Sequence, residues 1–201
     1  MNSDASPAYP APLPNEDADH FIRTAINLGA TEAVIIPSSQ IMVEDYLAEL
    51  CNGKPVCPNY GLSPSCPPHV PGPSAFRLWQ NKSPWCVVIR MDFPPVGPLT
   101  QDHRDLGHLL HEIVSGVEHD AVIRGYTHAK SFAGGSCKHL FCYDFGSCRV
   151  LSENGPCRNP DTARPSMSGF GINVARLMAS AQWKKPPDST SMSWLAGLVL
   201  L

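Results

Sequence analysis

Residues 85–91 read WCVVIRM, and this apolar run predicts the most clearly defined strand of the chain. Strands whose successive residues are all apolar are typical of a sheet that is covered on both faces. Helices are predicted at residues 16–29, 40–50, 74–82, 101–119 and 171–183, and further strands at residues 32–37 and 194–201. The expected fold class is therefore α/β or α+β, with a small central sheet flanked by helices.

Two cysteine-rich segments interrupt this pattern and are expected to form irregular metal-binding loops. Residues 51–73 contain seven prolines and three glycines, which exclude regular secondary structure over most of their length. The second segment, residues 134–165, is rich in glycine and polar residues. Both loops are expected at the edge of the helix and strand core.

Length and composition set further limits on the class of protein. Residues 1–15 lack the basic start and the apolar run of a secretion signal, so they predict a disordered leader before one domain at 16–201. The net charge of −3 gives no argument for nucleic-acid binding. The apolar stretch at 194–201 is too short to span a bilayer. A cytoplasmic location is expected, where eight cysteines indicate metal or redox chemistry rather than disulfides.

Charge is distributed unevenly along the chain. Residues 1–50 carry eight acidic residues and one basic residue, whereas residues 124–165 carry six basic and three acidic residues. The second cysteine segment is therefore locally positive, which suits an anionic centre such as a metal–thiolate cluster. An ordinary solvated surface is the alternative interpretation.

Four cysteines of the second segment have the spacing C-x4-C-x5-C-x8-C: Cys137, Cys142, Cys148 and Cys157. Four thiolates can hold a tetrahedral zinc ion or an iron–sulfur cluster. Only the first gap fits the short hook that zinc sites use, so the wider spacing favours a cluster. Arg149 and Arg158 stand beside two of these cysteines and are expected to offset the negative charge of the centre.

The first segment has the spacing C-x5-C-x8-C, formed by Cys51, Cys57 and Cys66. Prolines follow the second and third of these cysteines, which stiffens the loop and removes a backbone donor. Three thiolates form an incomplete ligand set. The fourth ligand is expected to be Cys86, His69 or none, although Cys86 lies within the apolar strand and fits a core position better.

Histidines and a few loop residues are weaker candidates. His103, His108 and His111 lie on the predicted long helix, and the last two share a face, which permits zinc binding. A solvated polar side of the helix is the preferred interpretation. Four loop residues are candidate small-molecule contacts, although packing around the metal loops is preferred for them as well: Tyr60, Gly61, Arg164 and Ser166.

Three motifs carry a resemblance to a known family: CPNYGLSPSCPPHVP at 57–71, GGSCKHLFC at 134–142 and CRNPDTARPSMSGFGINV at 157–174. With the apolar C-terminal strand, the sequence resembles the cysteine-rich predicted metal-binding proteins called domain of unknown function 2284. The resemblance covers about residues 51–201. It implies that seven cysteines bind metal, in iron–sulfur clusters: Cys51, Cys57, Cys66, Cys137, Cys142, Cys148 and Cys157. It implies no particular reaction.

The expected function is that of a cytosolic iron–sulfur protein with one or two [4Fe–4S] clusters. It would act in electron transfer or as an accessory to a redox or methyl-transfer system. Its partner would be a redox protein or a larger enzyme complex. Two alternatives stay open: a binding module stabilised by zinc, and an enzyme whose three-cysteine cluster keeps an iron open to substrate.

Overall fold

The computed structural model describes residues 12–97, 100–183 and 192–201. Within these ranges the chain forms seven α-helices and four β-strands. The helices are α1 (Asn15–Asn27), α2 (Asp45–Glu49), α3 (Gly72–Gln80), α4 (Gln101–Ile123), α5 (Cys137–Phe141), α6 (Arg149–Glu153) and α7 (Val174–Ser180). The strands are β1 (Glu32–Pro37), β2 (Trp85–Phe93), β3 (Lys130–Ala133) and β4 (Ser193–Leu200). Short 3-10 turns occupy Ser38–Gln40, Leu50–Asn52 and Met167–Phe170.

The strands form one sheet in the order β1-β2-β4-β3, and each neighbouring pair is antiparallel. Cys86 of β2 lies opposite Ile36 of β1 on one side and Leu200 of β4 on the other. Phe132 of β3 lies opposite Leu198 of β4 at the far edge. The antiparallel pairing selects α+β from the two predicted fold classes, with a small central sheet flanked by helices.

Both faces of the sheet are covered, as the WCVVIRM run predicted. Side chains alternate across a strand, so Val87 and Ile89 of β2 pack against α1 and α4 on one face. Cys86 and Val88 point to the opposite face, where they join the side chains of α3 and α7. The continuous apolar pattern thus correctly indicated that the strand is buried on both faces. Such runs are most typical of parallel sheets, but this sheet is antiparallel.

Helix α4 packs against strand β4 at a glycine, Gly197. A Cβ on Gly197 would lie 2.5 Å from Cγ1 of Val114 and 3.1 Å from the carbonyl oxygen of Phe132. No side chain fits at this position unless the helix moves away.

The predicted helices differ from the observed ones mainly at their ends. The helix predicted at 101–119 continues to Ile123. Only Asp45–Glu49 of the segment predicted at 40–50 is α-helical, because Val43 forms a β-bridge with Ile172. The helix predicted at 171–183 begins at Val174, where the Asn173 side chain accepts a hydrogen bond from the Arg176 N–H.

Residues 1–11 of the predicted leader lie outside the described residues, and the prediction of disorder at 1–15 stays untested there. Within the described part, Leu13 is buried against the core and α1 begins at Asn15. Among the residues that the structure describes, no helix has the length and apolar character needed to cross a membrane.

Candidate metal centre

The four cysteines of the second segment line one cavity of about 470 Å³: Cys137, Cys142, Cys148 and Cys157. Helix α5 begins at Cys137 and ends just before Cys142. Cys148 directly precedes helix α6, and Cys157 follows in the loop beyond it. The short helices α5 and α6 thus bring the widely spaced cysteines to the wall of one cavity, the second cavity.

The three cysteines of the first segment line a separate, smaller cavity of about 170 Å³, called the first cavity below: Cys51, Cys57 and Cys66. Backbone turns close this loop, since the N–H of Cys57 donates to the carbonyl of Cys51 at 3.1 Å. The N–H of Tyr60 in turn donates to the carbonyl of Cys57 at 2.9 Å. Short-range backbone hydrogen bonds therefore shape the part of this loop that carries Cys51 and Cys57.

Ser65 lines the second cavity and connects the two cysteine segments. Its Oγ donates a hydrogen bond to Sγ of Cys137 at 3.1 Å and accepts one from the Cys137 N–H at 3.3 Å. The same oxygen lies 3.8 Å from Sγ of Cys66. Its remaining contact is with Oγ of Ser63 at 2.9 Å. One buried hydroxyl thus touches a candidate ligand of each cavity.

Burial and mutual repulsion disfavour thiolates at these positions while no cation is bound. Burial raises the pKa of the Cys51 thiol, and the nearby Cys57 and Cys66 raise it further. Burial also raises the pKa of Cys137, which the hydroxyls of Ser65 and Ser63 partly offset. Because metal ligands must be deprotonated, metal binding at either cavity is expected to release protons and to weaken in acid.

Asn159 supplies hydrogen-bond donors to two thiols of the second cavity. Its backbone N–H donates to Sγ of Cys157 at 3.3 Å, and its side-chain amide donates to Sγ of Cys142 at 3.6 Å. Lys138 holds the same loop by donating to the carbonyls of Cys142 and Phe145. The sequence interpretation did not single out Asn159, although its place two residues after a candidate ligand was a usable signal.

Cations surround the second cavity, as the charge pattern predicted. Arg149 and Arg158 both line it. The Arg158 guanidinium also lies 4.0 Å from the ring centroid of Phe145, and Arg149 Nε lies 3.7 Å from a carboxylate oxygen of Glu153. Positive charge is therefore available beside the thiols, partly balanced by one exposed acid.

Arg164 ties the second cysteine segment to the helical core. Its buried guanidinium pairs with Glu118 of α4 and donates to Oγ of Ser131 at 2.9 Å. Its backbone N–H donates to Nδ1 of His111 at 3.0 Å. The preferred interpretation of Arg164 as a packing residue of the loop agrees with these contacts.

His111 is a correction to the sequence interpretation. It was expected on a solvated side of the long helix, but it is fully buried, with its ring 5.2 Å from that of Phe141. His108 does lie partly exposed, with Nδ1 3.3 Å from a carboxylate oxygen of Glu112. The loop that carries Arg164 covers His111. The spacing of apolar residues along the helix could not predict this burial, because the covering loop lies elsewhere in the sequence.

Neither residue named as a fourth ligand faces the first cavity. Cys86 is fully buried in the sheet, and this burial raises its pKa. Nε2 of His69 lies 3.3 Å from the carbonyl oxygen of Gly61. Besides the three thiols, the cavity is lined by Gly135 and Ser136 of the second segment and by Ser166 and Ser168 just beyond it, among others.

Within the part of the chain that the structure describes, no three histidine, cysteine, aspartate or glutamate side chains gather closely enough to hold a single metal ion. The thiols line two cavities that differ in volume, and Ser65 contacts one thiol of each set. That all seven cysteines bind metal stays a prediction.

These features define a cysteine-rich protein of the metal-binding class, in which two thiol-lined cavities lie side by side. The chain belongs to the family described as predicted metal-binding protein (DUF2284), whose model matches residues 34–201. The match includes both cysteine segments and confirms the predicted family. No curated protein and no solved structure matches the chain.

Proposed function

We propose that the protein holds two neighbouring iron–sulfur centres and works in electron transfer, or as an accessory to a larger redox or methyl-transfer system. A [4Fe–4S] cluster is assigned to the second cavity, and a second centre to the first cavity. The observation that carries this proposal is the position of Ser65, whose hydroxyl contacts Cys66 of one thiol set and Cys137 of the other.

The size of the second cavity supports a cluster. The cavity of about 470 Å³ has room for a group larger than a single ion, and the four thiols are among the residues that line it. A tetrahedral zinc ion requires all four sulfurs within about 2.3 Å of one point. A polynuclear centre has ligand sulfurs that lie farther apart, so it fits a wide cavity lined by four thiols better.

Hydrogen bonds to sulfur and the local positive charge support a redox role. Asn159 donates to two candidate ligands of the second cavity, and Ser65 donates to a third. Such donors stabilise the more negative, reduced form of a cluster and raise its reduction potential. Arg149 and Arg158 act in the same direction because they place positive charge beside the cavity.

The two centres would exchange electrons because they are adjacent. Electron transfer slows steeply with distance, and here one serine side chain separates candidate ligands of the two centres. When bound, the clusters supply one-electron oxidation and reduction. The chain holds them with thiolates, donates hydrogen bonds to the sulfurs and places cations beside the second cavity.

Elemental analysis of the protein tests this proposal. The full chain would be purified without oxygen, and iron, acid-labile sulfide and zinc would be measured per chain together with a visible spectrum. The proposal predicts about four to eight iron with matching sulfide, and a broad absorbance that bleaches on reduction. One or two zinc ions and no colour would contradict it and would favour a zinc-stabilised binding module.

A further inference from the structure

The second cavity has an apolar wall that the four thiols do not form. Five of the described residues that line the cavity are apolar and lie outside the second cysteine segment: Pro64, Val70, Pro71, Trp79 and Phe170. Trp79 belongs to α3, and Phe170 ends the 3-10 turn that begins at Met167. Since none of these side chains is a metal ligand, a metal centre at the thiols does not account for the apolar wall.

The aromatic rings of the apolar wall are held in place by the core behind them. The ring centroids of Trp79 and Phe170 lie 5.6 Å apart, and they lie 5.9 and 5.0 Å from that of Phe132 in β3. Phe141 of α5 adds a third aromatic ring to the cavity lining. Rings fixed in this way favour a flat apolar ligand, because stacked and edge-to-face contacts add to the gain from burying apolar surface.

Among the described residues that line the second cavity, every charged one is basic: Lys138, Arg149, Arg158 and Arg164. Arg164 is paired with Glu118, and Arg149 lies near the exposed Glu153. Within the part of the chain that the structure describes, the other two form no ion pair. Lys138 donates to two backbone carbonyls, and the Arg158 guanidinium lies over the ring of Phe145. The side chains other than the thiols therefore favour an anion, and a planar guanidinium can bind a carboxylate with two hydrogen bonds.

The lining of the second cavity extends from the protein surface to the core. Arg149 and Cys157 are exposed, whereas Phe170 is only 1 % exposed. Burying a charge is costly unless the charge is paired. A ligand with one apolar end and one charged end would therefore place its apolar end against Trp79 and Phe170, and its charge toward the arginines nearer the surface.

We infer that the second cavity binds a small organic anion with an aromatic body, of the aromatic carboxylate class. Trp79, Phe141 and Phe170 contact the aromatic body, and Arg149 and Arg158 bind the anionic group. The site consists of protein side chains alone, so it goes beyond the proposed function and requires no metal. The thiols and the apolar wall belong to different segments of the chain, so a metal centre and the organic anion would use different walls of the cavity.

Isothermal titration calorimetry with 2-naphthoate, and with its uncharged amide, tests this inference. The full-length protein would be purified without oxygen, and iron would be measured in the same samples. Binding of 2-naphthoate is expected to be saturable and tighter than that of the amide. Arg158→Gln is expected to weaken 2-naphthoate binding about tenfold or more, because a hydrogen bond to a charged group is lost, and to leave amide binding unchanged. Arg23→Gln, which changes an exposed arginine of α1, serves as the matched control.

Val150→Trp provides a second test, because it fills the cavity from α6, a helix that contains no buried residue. It should abolish binding of both probes, whereas Leu151→Trp, at the exposed neighbouring position, should bind them as the wild type does. Equal affinities in these two variants, equal affinities of the wild type for the two probes, or no saturable binding would overturn the inference. Iron-loaded protein that binds no probe would contradict this inference alone, and probe binding to a chain without metal would contradict only the proposed function.

Discussion

The hydroxyl of Ser65 donates a hydrogen bond to Sγ of Cys137 at 3.1 Å, across 72 positions of sequence. This contact brings the two cysteine segments together, because Ser65 directly precedes Cys66 and touches its sulfur as well. Two motifs that look independent in the sequence are therefore parts of one site. The following predictions test the consequences.

Cys148→Ser is expected to remove the centre at the second cavity and to leave the centre at the first. The substitution removes one of the four thiolates assigned to the cluster at the second cavity. Iron and sulfide per chain should fall by about half. Cys86→Ala removes a thiol of the core instead, and it should leave the metal content unchanged; iron loss in that variant would identify Cys86 as a ligand.

Ser65→Ala is expected to lower the reduction potential of the cluster at the second cavity. The substitution removes a hydrogen bond to Cys137 that stabilises the reduced, more negative state. A redox titration followed by visible absorbance would measure the shift. Ser39→Ala, which changes an exposed serine, provides the comparison, and equal potentials in the two variants would exclude a redox role for Ser65.

Arg164→Ala is expected to destabilise the folded chain by about 3–5 kcal/mol, because it leaves the carboxylate of Glu118 without its buried partner. The free energy of unfolding in urea would measure this effect. Arg149→Ala removes a pair whose two side chains are largely exposed, so it should cost less than about 1 kcal/mol. Equal effects of the two substitutions would show that Arg164 does not anchor the loop.

Acid is expected to destabilise the protein through His111. Burial, together with the nearby charges of Arg164 and His108, lowers the pKa of His111 to about 4. The fold therefore favours the neutral ring, and this contribution is complete above a pH of about 6.5 and is lost as the pH falls toward 4. Its full size is about 3 kcal/mol.

Comparison of wild type with His111→Gln at pH 7 and pH 5 isolates this contribution, since loss of metal in acid affects both proteins. Unfolding in urea should show a smaller decrease in stability for the variant between these two pH values. The same decrease in both proteins would show that another group controls the acid sensitivity.

The sequence predicted the central strand, the long helix and the covered sheet because these features repeat along one segment. The continuous apolar run WCVVIRM by itself indicates a buried strand, and the apolar residues of α4 recur with helical periodicity. Strand β3 was missed because its four residues, KSFA, are too few to show a pattern. The start of the helix predicted at 40–50 was placed too early because Val43 instead forms a β-bridge with Ile172, which is distant in sequence.

The cysteine groups were predictable from spacing, but their arrangement in space was not. Ser65 and Asn159 each lie within two residues of a cysteine, yet many other polar residues do as well. What distinguishes them is a hydrogen bond to a second, more distant cysteine, 72 positions away for Ser65 and 17 for Asn159, which no local pattern encodes. The same reason explains why His111 was wrongly placed in solvent.

Electron paramagnetic resonance of the reduced wild-type protein tests the central claim most directly. Two reduced centres that share Ser65 must interact magnetically, so the spectrum is expected to be split and broadened. Cys148→Ser should simplify it to the signal of one isolated centre. A wild-type spectrum that is the plain sum of two isolated signals, or that contains no iron–sulfur signal, would contradict the assignment of two neighbouring redox centres.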